Sequence, residues 1–358
     1  MVMNIETMNR PPRLSVLETL DLFAALGAVL FSALAALVNG PWRAPDDEAS
    51  LYLYVAYAAT RKLLCRFSAA QLRVTYRQQA KAMQMTPRTI ELPHGVRGNW
   101  IGDPDAKHLT IHFDNPQGGG FSMPAVDGHF KFMMRFIKSR PSTKPSLSIF
   151  FPEYTLTPAA RYPTQLTQAV EALRYLVVTT RRSPSSIMLG GDSAGGNLVA
   201  GVLAHLTHPH EAVEELVLTE PLAGAVMVAP WIAIHKPDPR LAGDGAKDII
   251  LKPALDTFAR NYMGAAASDY FTDPCRAPAE WFRGMPVKRI LVMAGQYEYL
   301  LPSIDAFVKT LQAGYGPVEF YVAEKEVHDA PFVNLLCCHN APTRQGTKLV
   351  DWIEDGIA

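Results

Sequence analysis

Short apolar runs alternate with amphipathic stretches over most of the chain. The runs predict strands at residues 108–113, 147–154, 186–189, 224–229, 289–294 and 318–323. Between them, apolar side chains recur every three or four positions, which predicts helices near 126–137, 163–179, 194–205, 303–311 and 343–353. Continuous apolar strands that alternate with helices are typical of a mostly parallel sheet covered on both faces. The pattern therefore predicts an α/β fold.

The N-terminal region has a different pattern, a long run without any charge. Residues 22–38 are seventeen uncharged positions, and a helix of that length spans about 25 Å, at the short end of what crosses a bilayer. Arg10 and Arg13 precede the run and an acidic cluster at 46–48 follows it, which favours a cytoplasmic N-terminus and a lumenal remainder. We interpret the run as a membrane anchor, with the endoplasmic reticulum as the expected membrane. The alternatives are a cleaved signal peptide and a helix that lies on the membrane or on the protein's own surface, and the protein would then be secreted or cytoplasmic.

These patterns divide the chain into four parts. Residues 1–21 form a tail, and residues 22–38 form the apolar helix. The pattern of residues 39–84 predicts further helices with aromatic and aliphatic faces. Residues 85–358 form the α/β domain. Its segment from about 235 to 284 is irregular and rich in Pro, Asp and aromatic residues, so we interpret it as an insertion. The N-terminal helices and this insertion are the material from which a cap over the domain would be built.

Composition excludes several classes of protein. Forty-eight per cent apolar and 19 per cent charged residues describe a globular chain, and 34 basic and 34 acidic residues give a formal net charge of zero. Because no basic stripe is present, nucleic acid is not an expected partner. Neither the cysteines nor the histidine cluster at 205–210 has metal-like spacing, so no metal site is predicted. The four cysteines are expected as unpaired thiols, although a disulfide between Cys275 and Cys337 or Cys338 stays open.

One serine lies between glycines where a strand turns into a helix. Residues 191–195 read Gly-Asp-Ser-Ala-Gly, a G-x-S-x-G pattern that follows the strand 186–189 and precedes an alanine- and leucine-rich helix. In this setting a tight turn exposes the serine hydroxyl above the sheet. The flanking glycines leave room for the turn, and the positive end of the following helix points at charge that develops nearby. Ser193 is thus a candidate nucleophile.

A serine hydroxyl needs a base, and two later strands end in loops that carry candidates. Glu298 follows the strand 289–294, and His328 follows the strand 318–323. The order serine, acid, histidine is the one expected when all three side chains lie beyond the carboxyl ends of parallel strands. Asp305 is a weaker candidate for the acid because it falls a turn into the next helix.

Acyl transfer also needs donors for a developing oxyanion, and a glycine run is placed to supply them. Gly118 and Gly119 follow the strand 108–113, and glycines let backbone N–H groups approach a ligand without interference from a Cβ atom. We assign the oxyanion hole to the amides of Gly118, Gly119 and Ala194.

Together these motifs resemble the hormone-sensitive-lipase-like branch of the α/β-hydrolase family. The glycine run, the segment EYTLTPAARYP, the GDSAGGN motif and the acid and histidine loops carry the likeness, and the runs WIGDPDA, LAHLTHPH and EPLAGAVMVAPW are similar to fungal esterase-like members. Many of those members accompany polyketide and other secondary-metabolite pathways. The resemblance implies an eight-stranded sheet, a helical cap and a triad of Ser193, Glu298 and His328. It implies neither a metal nor an organic cofactor.

One motif departs from the family pattern. The family usually has His-Gly-Gly-Gly directly after its strand, whereas here residues 114–116 separate His112 and Phe113 from the glycines, and Gln117 stands at the histidine position. Gln117 can still brace the loop by hydrogen bonding. The extra residues would shift the amides, and losing one oxyanion donor lowers the rate by roughly 100- to 1,000-fold. The departure therefore favours a slower hydrolase.

These features predict a serine hydrolase, a carboxylesterase or lipase-like enzyme that acts on a lipophilic ester through an acyl-enzyme. The resemblance to the fungal members implies a polyketide or another secondary-metabolite intermediate as the ester. Two alternatives stay open. The same pocket and histidine base could catalyse a non-hydrolytic cyclisation or condensation by abstracting a proton beside a carbonyl. The altered glycine loop could instead mark an inactive scaffold protein.

Overall fold

An eight-stranded mixed sheet is the centre of the structure. The computed structural model describes residues 15–44, 48, 50–66, 76–113, 119–123, 127–235, 243 and 245–357. In chain order the strands are β1 (Arg88–Glu91), β2 (Arg97–Ile101), β3 (His108–His112), β4 (Leu147–Glu153), β5 (Ile187–Asp192), β6 (Gly224–Val228), β7 (Ile290–Gly295) and β8 (Val318–Ala323). They lie in the order β1-β2-β4-β3-β5-β6-β7-β8. The pairs β1–β2 and β2–β4 are antiparallel and the other pairs are parallel, which confirms the predicted mostly parallel sheet.

Two of these strands, β1 and β2, have no counterpart among the individually predicted strands. Polar residues interrupt both: Arg88 and Glu91 bound β1 and are exposed, and Arg97 and Asn99 lie in β2. Strand β1 forms an edge of the sheet, where one side of the strand pairs with no neighbour and a continuous apolar run is not needed. The hydrophobic pattern is weak for this reason.

The helices lie between the strands and at both ends of the chain. They are α1 (Val16–Asn39), α2 (Leu51–Arg66), α3 (Tyr76–Ala82), α4 (Asp127–Ser139), α5 (Thr164–Arg174), α6 (Ala194–Thr207), α7 (Lys252–Met263), α8 (Leu301–Gly314), α9 (Ala330–Leu336) and α10 (Arg344–Asp355). Helix α5 continues into one π-helical stretch at Tyr175–Thr179, so the helix predicted at 163–179 is confirmed with a change of winding near its end.

The central strands are buried along their whole length. Every residue of β5, β6 and β7 is buried, because apolar layers cover both faces of the sheet. Neighbouring residues of β5 point to opposite faces, so Met188 packs into one apolar cluster and Leu189 into the other. Helix α6 is buried from Ala194 to His205. The carboxyl ends of these strands are therefore held by the best-packed part of the molecule.

Helix α1 is longer than the predicted helix at 22–38. A capping box at its start explains the extra turns: the hydroxyl of Ser15 accepts a hydrogen bond from the Glu18 amide, and the Glu18 carboxylate accepts one from the Ser15 amide. In the described part of the chain, this is the one helix long and apolar enough to cross a membrane. Many of its apolar side chains are exposed, among them Leu20, Phe23, Leu30, Phe31 and Leu34.

Helix α2 connects α1 to the rest of the protein. The hydroxyl of Ser32 in α1 donates to the carbonyl of Ala58 in α2 over 2.9 Å. On its other side, α2 contacts α9: the buried Tyr57 hydroxyl donates to Asn334 Oδ1 over 2.6 Å, and the Tyr52 hydroxyl donates to the carbonyl of Cys337. The N-terminal helices are thus attached to the segment that follows His328.

The irregular segment predicted as an insertion contains helix α7, which lies against the glycine run. The aromatic ring of Phe258 in α7 fills the space beside Gly120, where a Cβ atom would lie 2.2 Å from that ring. Gly120 has φ of +63°, a conformation that other residues rarely adopt. Helix α7 therefore covers Gly120, while the assignment of this segment and the N-terminal helices to a cap stays a prediction.

All four cysteines lie in the described part of the chain and are free thiols. The disulfide that the sequence left open, between Cys275 and Cys337 or Cys338, is therefore not formed in this structure. Two histidines of the cluster at 205–210 contact backbone carbonyls. His205 faces Glu214 and His208 faces Trp281, at 3.2 and 2.9 Å.

Candidate active site

Ser193 occupies a strained turn between β5 and α6. Its backbone has φ of +48° and ψ of −114°, which is unfavourable for any residue with a side chain. Three backbone hydrogen bonds hold it there: the Ser193 amide donates to the Val228 carbonyl over 2.9 Å, and the amides of Trp231 and Asn197 donate to the Ser193 carbonyl over 2.9 and 3.1 Å. The first glycine of the motif is required for space, because a Cβ atom at Gly191 would lie 2.4 Å from the backbone of Gly195.

The loops after β7 and β8 bring Glu298 and His328 together. His328 Nδ1 lies 3.2 Å from Glu298 Oε2, and both side chains are buried. The other oxygen of Glu298 accepts a hydrogen bond from the amide of Gly295 at the end of β7, which fixes the direction of the carboxylate. Asp305, the weaker candidate for the acid, instead forms an exposed ion pair with Lys309 on the surface of α8 at 2.6 Å.

The second ring nitrogen of His328 faces a carboxylate that the sequence analysis did not select. His328 Nε2 lies 3.1 Å from Asp329 Oδ2. Within the described ranges, the Ser193 hydroxyl makes no hydrogen bond to the His328 ring. The structure therefore joins Glu298 to His328, and it places Ser193, Glu298 and His328 after the carboxyl ends of β5, β7 and β8, on the same edge of the sheet.

Burial and neighbouring charges shift the pKa values around His328. Burial alone would lower the pKa of His328, but the Asp329 and Glu298 carboxylates together raise it well above its usual range. Burial raises the pKa of Glu298, with partial compensation from His328. Burial also raises the pKa of Asp329 to about 7, although His328 opposes the shift. Asp248, whose carboxylate accepts the His328 amide over 2.9 Å, likewise has a pKa raised by burial.

A second buried charge group lies directly before the serine. The two carboxylate oxygens of Asp192 face His112 Nε2 at 3.0 Å and His129 Nε2 at 3.1 Å. Burial favours the neutral carboxyl, but His129 and His112 together hold the pKa of Asp192 well below its usual range. The ring of Phe332 in α9 stacks on His129 with centroids 4.6 Å apart. This group links β3, α4, β5 and α9 beneath the turn that carries Ser193.

The structure describes two of the three predicted oxyanion donors, Gly119 and Ala194. Ala194 is the first residue of α6 and follows Ser193 directly, so its amide belongs to the unpaired N–H groups of a helix start. Residues Gly119–Phe121 form a short 3₁₀ turn that lies beside α6. Gly118 and Gln117, together with 114–116, lie outside the described residues.

A comparison with known protein families shows to which family the chain belongs. Residues 116–332 match a family whose description is alpha/beta hydrolase fold. The chain belongs to the α/β-hydrolase family. The matched segment runs from the glycine run to the first turn of α9, so this α/β-hydrolase carries Ser193, Glu298, His328 and Asp329 within its family region.

Individual relatives agree with this α/β-hydrolase assignment. Steryl acetyl hydrolase 1 of Saccharomyces cerevisiae is 28% identical over 180 residues, which are 48% of this chain and 39% of the yeast protein. The crystal structure of an esterase from the bacterial hormone-sensitive lipase family superposes with a TM-score of 0.64 at 20% identity, covering 87% of this chain and 98% of that one. Carboxyl esterase 2 from the mycorrhizal fungus Tuber melanosporum gives a TM-score of 0.61 at 18% identity, covering 76% and 88%. At these identities the two structural likenesses describe the fold.

Sequence reasoning missed several charged residues of this α/β-hydrolase site. Asp329 is adjacent to His328, and Asp192 is the second residue of the G-x-S-x-G pattern, so both were visible as carboxylates next to selected residues. Asp248 lies in the predicted insertion, and His112 and His129 are on different elements. No spacing rule connects these three to the serine, because only the folded sheet brings them near it.

Proposed function

We propose that this chain is a serine hydrolase that cleaves a lipophilic carboxylic ester. The observation that supports it best is the pair formed by His328 and Glu298, at 3.2 Å, on the same edge of the sheet as the strained Ser193. A nucleophile on a sharp turn, a histidine and a carboxylate that orients the histidine are the parts that acyl transfer requires.

The proposed reaction proceeds through an acyl-enzyme. The Ser193 hydroxyl oxygen attacks the ester carbonyl while His328 Nε2 takes the hydroxyl proton, and Glu298 stabilises the resulting imidazolium. The amides of Ala194, Gly119 and Gly118 hold the negative oxygen. The imidazolium then gives its proton to the leaving alcohol. Water, deprotonated by His328, attacks the acyl-enzyme, and the proton returns to Ser193 as the carboxylic acid leaves.

Two observations support a lipophilic substrate at a membrane. The exposed apolar side chains of α1 are suited to a bilayer, and α2 attaches α1 to the segment after His328. We propose that α1 anchors the protein in a membrane such as that of the endoplasmic reticulum, with removal as a signal sequence as the competing outcome. The name of the yeast relative indicates a sterol acetate, so an acetyl ester of a bulky apolar alcohol is the first substrate class to test.

Two finer expectations from the sequence stay predictions. One is that the ester is a polyketide or another secondary-metabolite intermediate. The other is that His328 catalyses a non-hydrolytic cyclisation or condensation without an acyl-enzyme, a reaction in which Ser193 would be dispensable.

A fluorophosphonate probe tests the proposed chemistry directly. We expect the wild-type protein to be labelled and Ser193→Ala to remain unlabelled, with hydrolysis of p-nitrophenyl acetate lowered by about 10⁴-fold or more. Ser186→Ala is a matched control, because Ser186 lies just before the opposite end of β5 and its hydroxyl contacts the Ser183 carbonyl. Folded wild-type protein that takes no label at any pH from 6 to 9 would overturn the proposal.

A further inference from the structure

Both ring nitrogens of His328 face carboxylates. Nδ1 lies 3.2 Å from Glu298 Oε2, and Nε2 lies 3.1 Å from Asp329 Oδ2. Each ring nitrogen makes one hydrogen bond in the plane of the ring, as a donor or as an acceptor. Since Nε2 must accept the proton of Ser193 in the proposed reaction, the contact with Asp329 occupies the position that the serine needs.

The backbone of Asp329 is fixed independently of its side chain. Asp329 has φ of +51° and ψ of +36°, and it caps the start of α9 without a side-chain hydrogen bond. Its carbonyl accepts the amides of Phe332 and Val333, each over 3.0 Å. Its second carboxylate oxygen, Oδ1, is buried and has no hydrogen-bond partner among the described residues. The carboxylate can therefore change rotamer while the backbone and α9 stay in place.

The environment of this contact is rich in charge. Carboxylates approach it from three other elements, and histidines face them. The groups are Glu298 after β7, Asp248 in the segment before α7, and Asp192 at the end of β5 with His112 from β3 and His129 from α4. Crowded carboxylates favour sharing of protons, and the pKa of Asp329, which burial raises to about 7, agrees with a proton shared with His328.

We propose that Asp329 is a positioning residue that holds His328 Nε2 in the resting enzyme and competes with Ser193 for it. This inference rests on the proposed hydrolase function. Before catalysis, the Nε2 proton passes to Asp329 Oδ2, which leaves a neutral imidazole and a carboxylic acid. The carboxylic acid then turns away, and the freed Nε2 accepts the hydrogen bond of the Ser193 hydroxyl.

Two substitutions at one position test this competition. Asp329→Asn removes the charge and keeps the shape, and Asp329→Gly removes the side chain; both residues tolerate the left-handed conformation. Removing the carboxylate lowers the pKa of His328, so its reactive neutral form persists to lower pH. We expect the acidic limb of kcat/KM, and of the rate of fluorophosphonate labelling, to move down by about one pH unit in Asp329→Asn. The labelling rate of Asp329→Gly at pH 6 should rise by about ten-fold.

A control and three outcomes make the test decisive. Asp305→Asn also replaces one carboxylate by a neutral amide, but on the surface of α8, and it should leave both pH profiles unchanged. If the wild type labels and both Asp329 variants keep its pH profile, the inference fails and the hydrolase function stands. If the variants stay folded by circular dichroism but lose labelling, Asp329 assists the serine and the inference also fails. If folded wild type never labels, the proposed function fails first.

Discussion

At the scale of single residues, two carboxylates contact one imidazole and differ in how firmly they are held. Glu298 uses both oxygens, one on His328 and one on the amide of Gly295. Asp329 uses one oxygen on His328, and its other oxygen has no partner in the described part of the chain. A carboxylate bonded at both oxygens keeps its direction, whereas one bonded at a single oxygen can turn. This difference suits Glu298 to orient the ring and Asp329 to release it.

Replacing Glu298 should therefore be severe. In Glu298→Gln the neutral amide no longer stabilises an imidazolium, and it can leave His328 in the wrong tautomer, so we expect kcat/KM for p-nitrophenyl acetate to fall by about 10⁴-fold. Asp305→Asn, the other acid near this strand, should change kcat/KM by less than about two-fold. A large loss in Asp305→Asn with an active Glu298→Gln would reverse the assignment of the acid.

The three residues could be selected from the sequence because each lies in the loop that follows a strand. The hydrophobic pattern locates β5, β7 and β8, and the carboxyl ends of parallel strands share one edge of a sheet. Asp329 was not selected, although it is the next residue after His328. Which ring nitrogen it faces depends on the left-handed turn at the start of α9, and neither composition nor spacing specifies such a turn.

At the scale of elements, the contact between α4 and α9 controls the position of the histidine loop. A Cβ atom at Gly128 in α4 would lie only 1.9 Å from the carbonyl oxygen of Phe332 in α9. The two helices can approach this closely only because the residue has no side chain. Helix α9 begins directly after Asp329. A change in the distance between α4 and α9 would therefore also move His328.

A methyl group at this crossing should separate the helices. We expect Gly128→Ala to lower the free energy of unfolding by about 1–3 kcal/mol, as overpacking does, even though alanine favours a helix. Urea unfolding measures the change. Gly27→Ala in α1 is the matched control, because no described atom beyond the adjoining residues and backbone of α1 lies within 4 Å of the added Cβ position, and it should not destabilise the protein. Equal stability of Gly128→Ala and wild type would contradict the tight crossing.

Element boundaries show where the sequence pattern is sufficient and where it is not. Buried strands such as β7 were predicted closely, because their apolar runs are continuous. Strand β2 was not predicted because Arg97 and Asn99 interrupt its apolar run. The side-chain amide of the buried Asn99 donates a hydrogen bond to Glu153 in β4. Helix α1 begins earlier than its apolar run because the capping box at Ser15 and Glu18 sets its start. Polar contacts of these kinds are invisible to a count of apolar positions.

At the scale of the whole molecule, helix α1 differs from the other elements in the exposure of its apolar side chains. Most large apolar side chains with high exposure belong to α1, where Phe23 is 66% and Phe31 is 74% exposed. The proposed membrane anchor rests on this exposed apolar area, since large exposed apolar patches are typical of interaction surfaces. Val178 and Val217 are exposed apolar residues that lie outside α1.

Charges placed on α1 should weaken membrane binding. We expect the double variant Phe23→Asp and Phe31→Asp to float with phosphatidylcholine liposomes at least ten-fold less than wild type, because a charge in the hydrocarbon core is unfavourable by about 2.5–3.5 kcal/mol. The matched control is Val178→Asp with Val217→Asp, two residues that are 57% and 76% exposed outside α1. Liposome binding that is equal in both double variants would contradict an anchor at α1.

Helix α2 is hydrogen-bonded to α9 and to Cys337. If α1 is a membrane anchor, these bonds affect how the enzyme meets its substrate. An enzyme whose anchoring helices are fastened by the hydrogen bond between Tyr57 and Asn334 would keep one face toward the bilayer and meet its ester by lateral diffusion within a leaflet. Its turnover should then follow the mole fraction of ester among the lipids, and diluting the ester with inert phospholipid would slow it even when the amount per litre is constant.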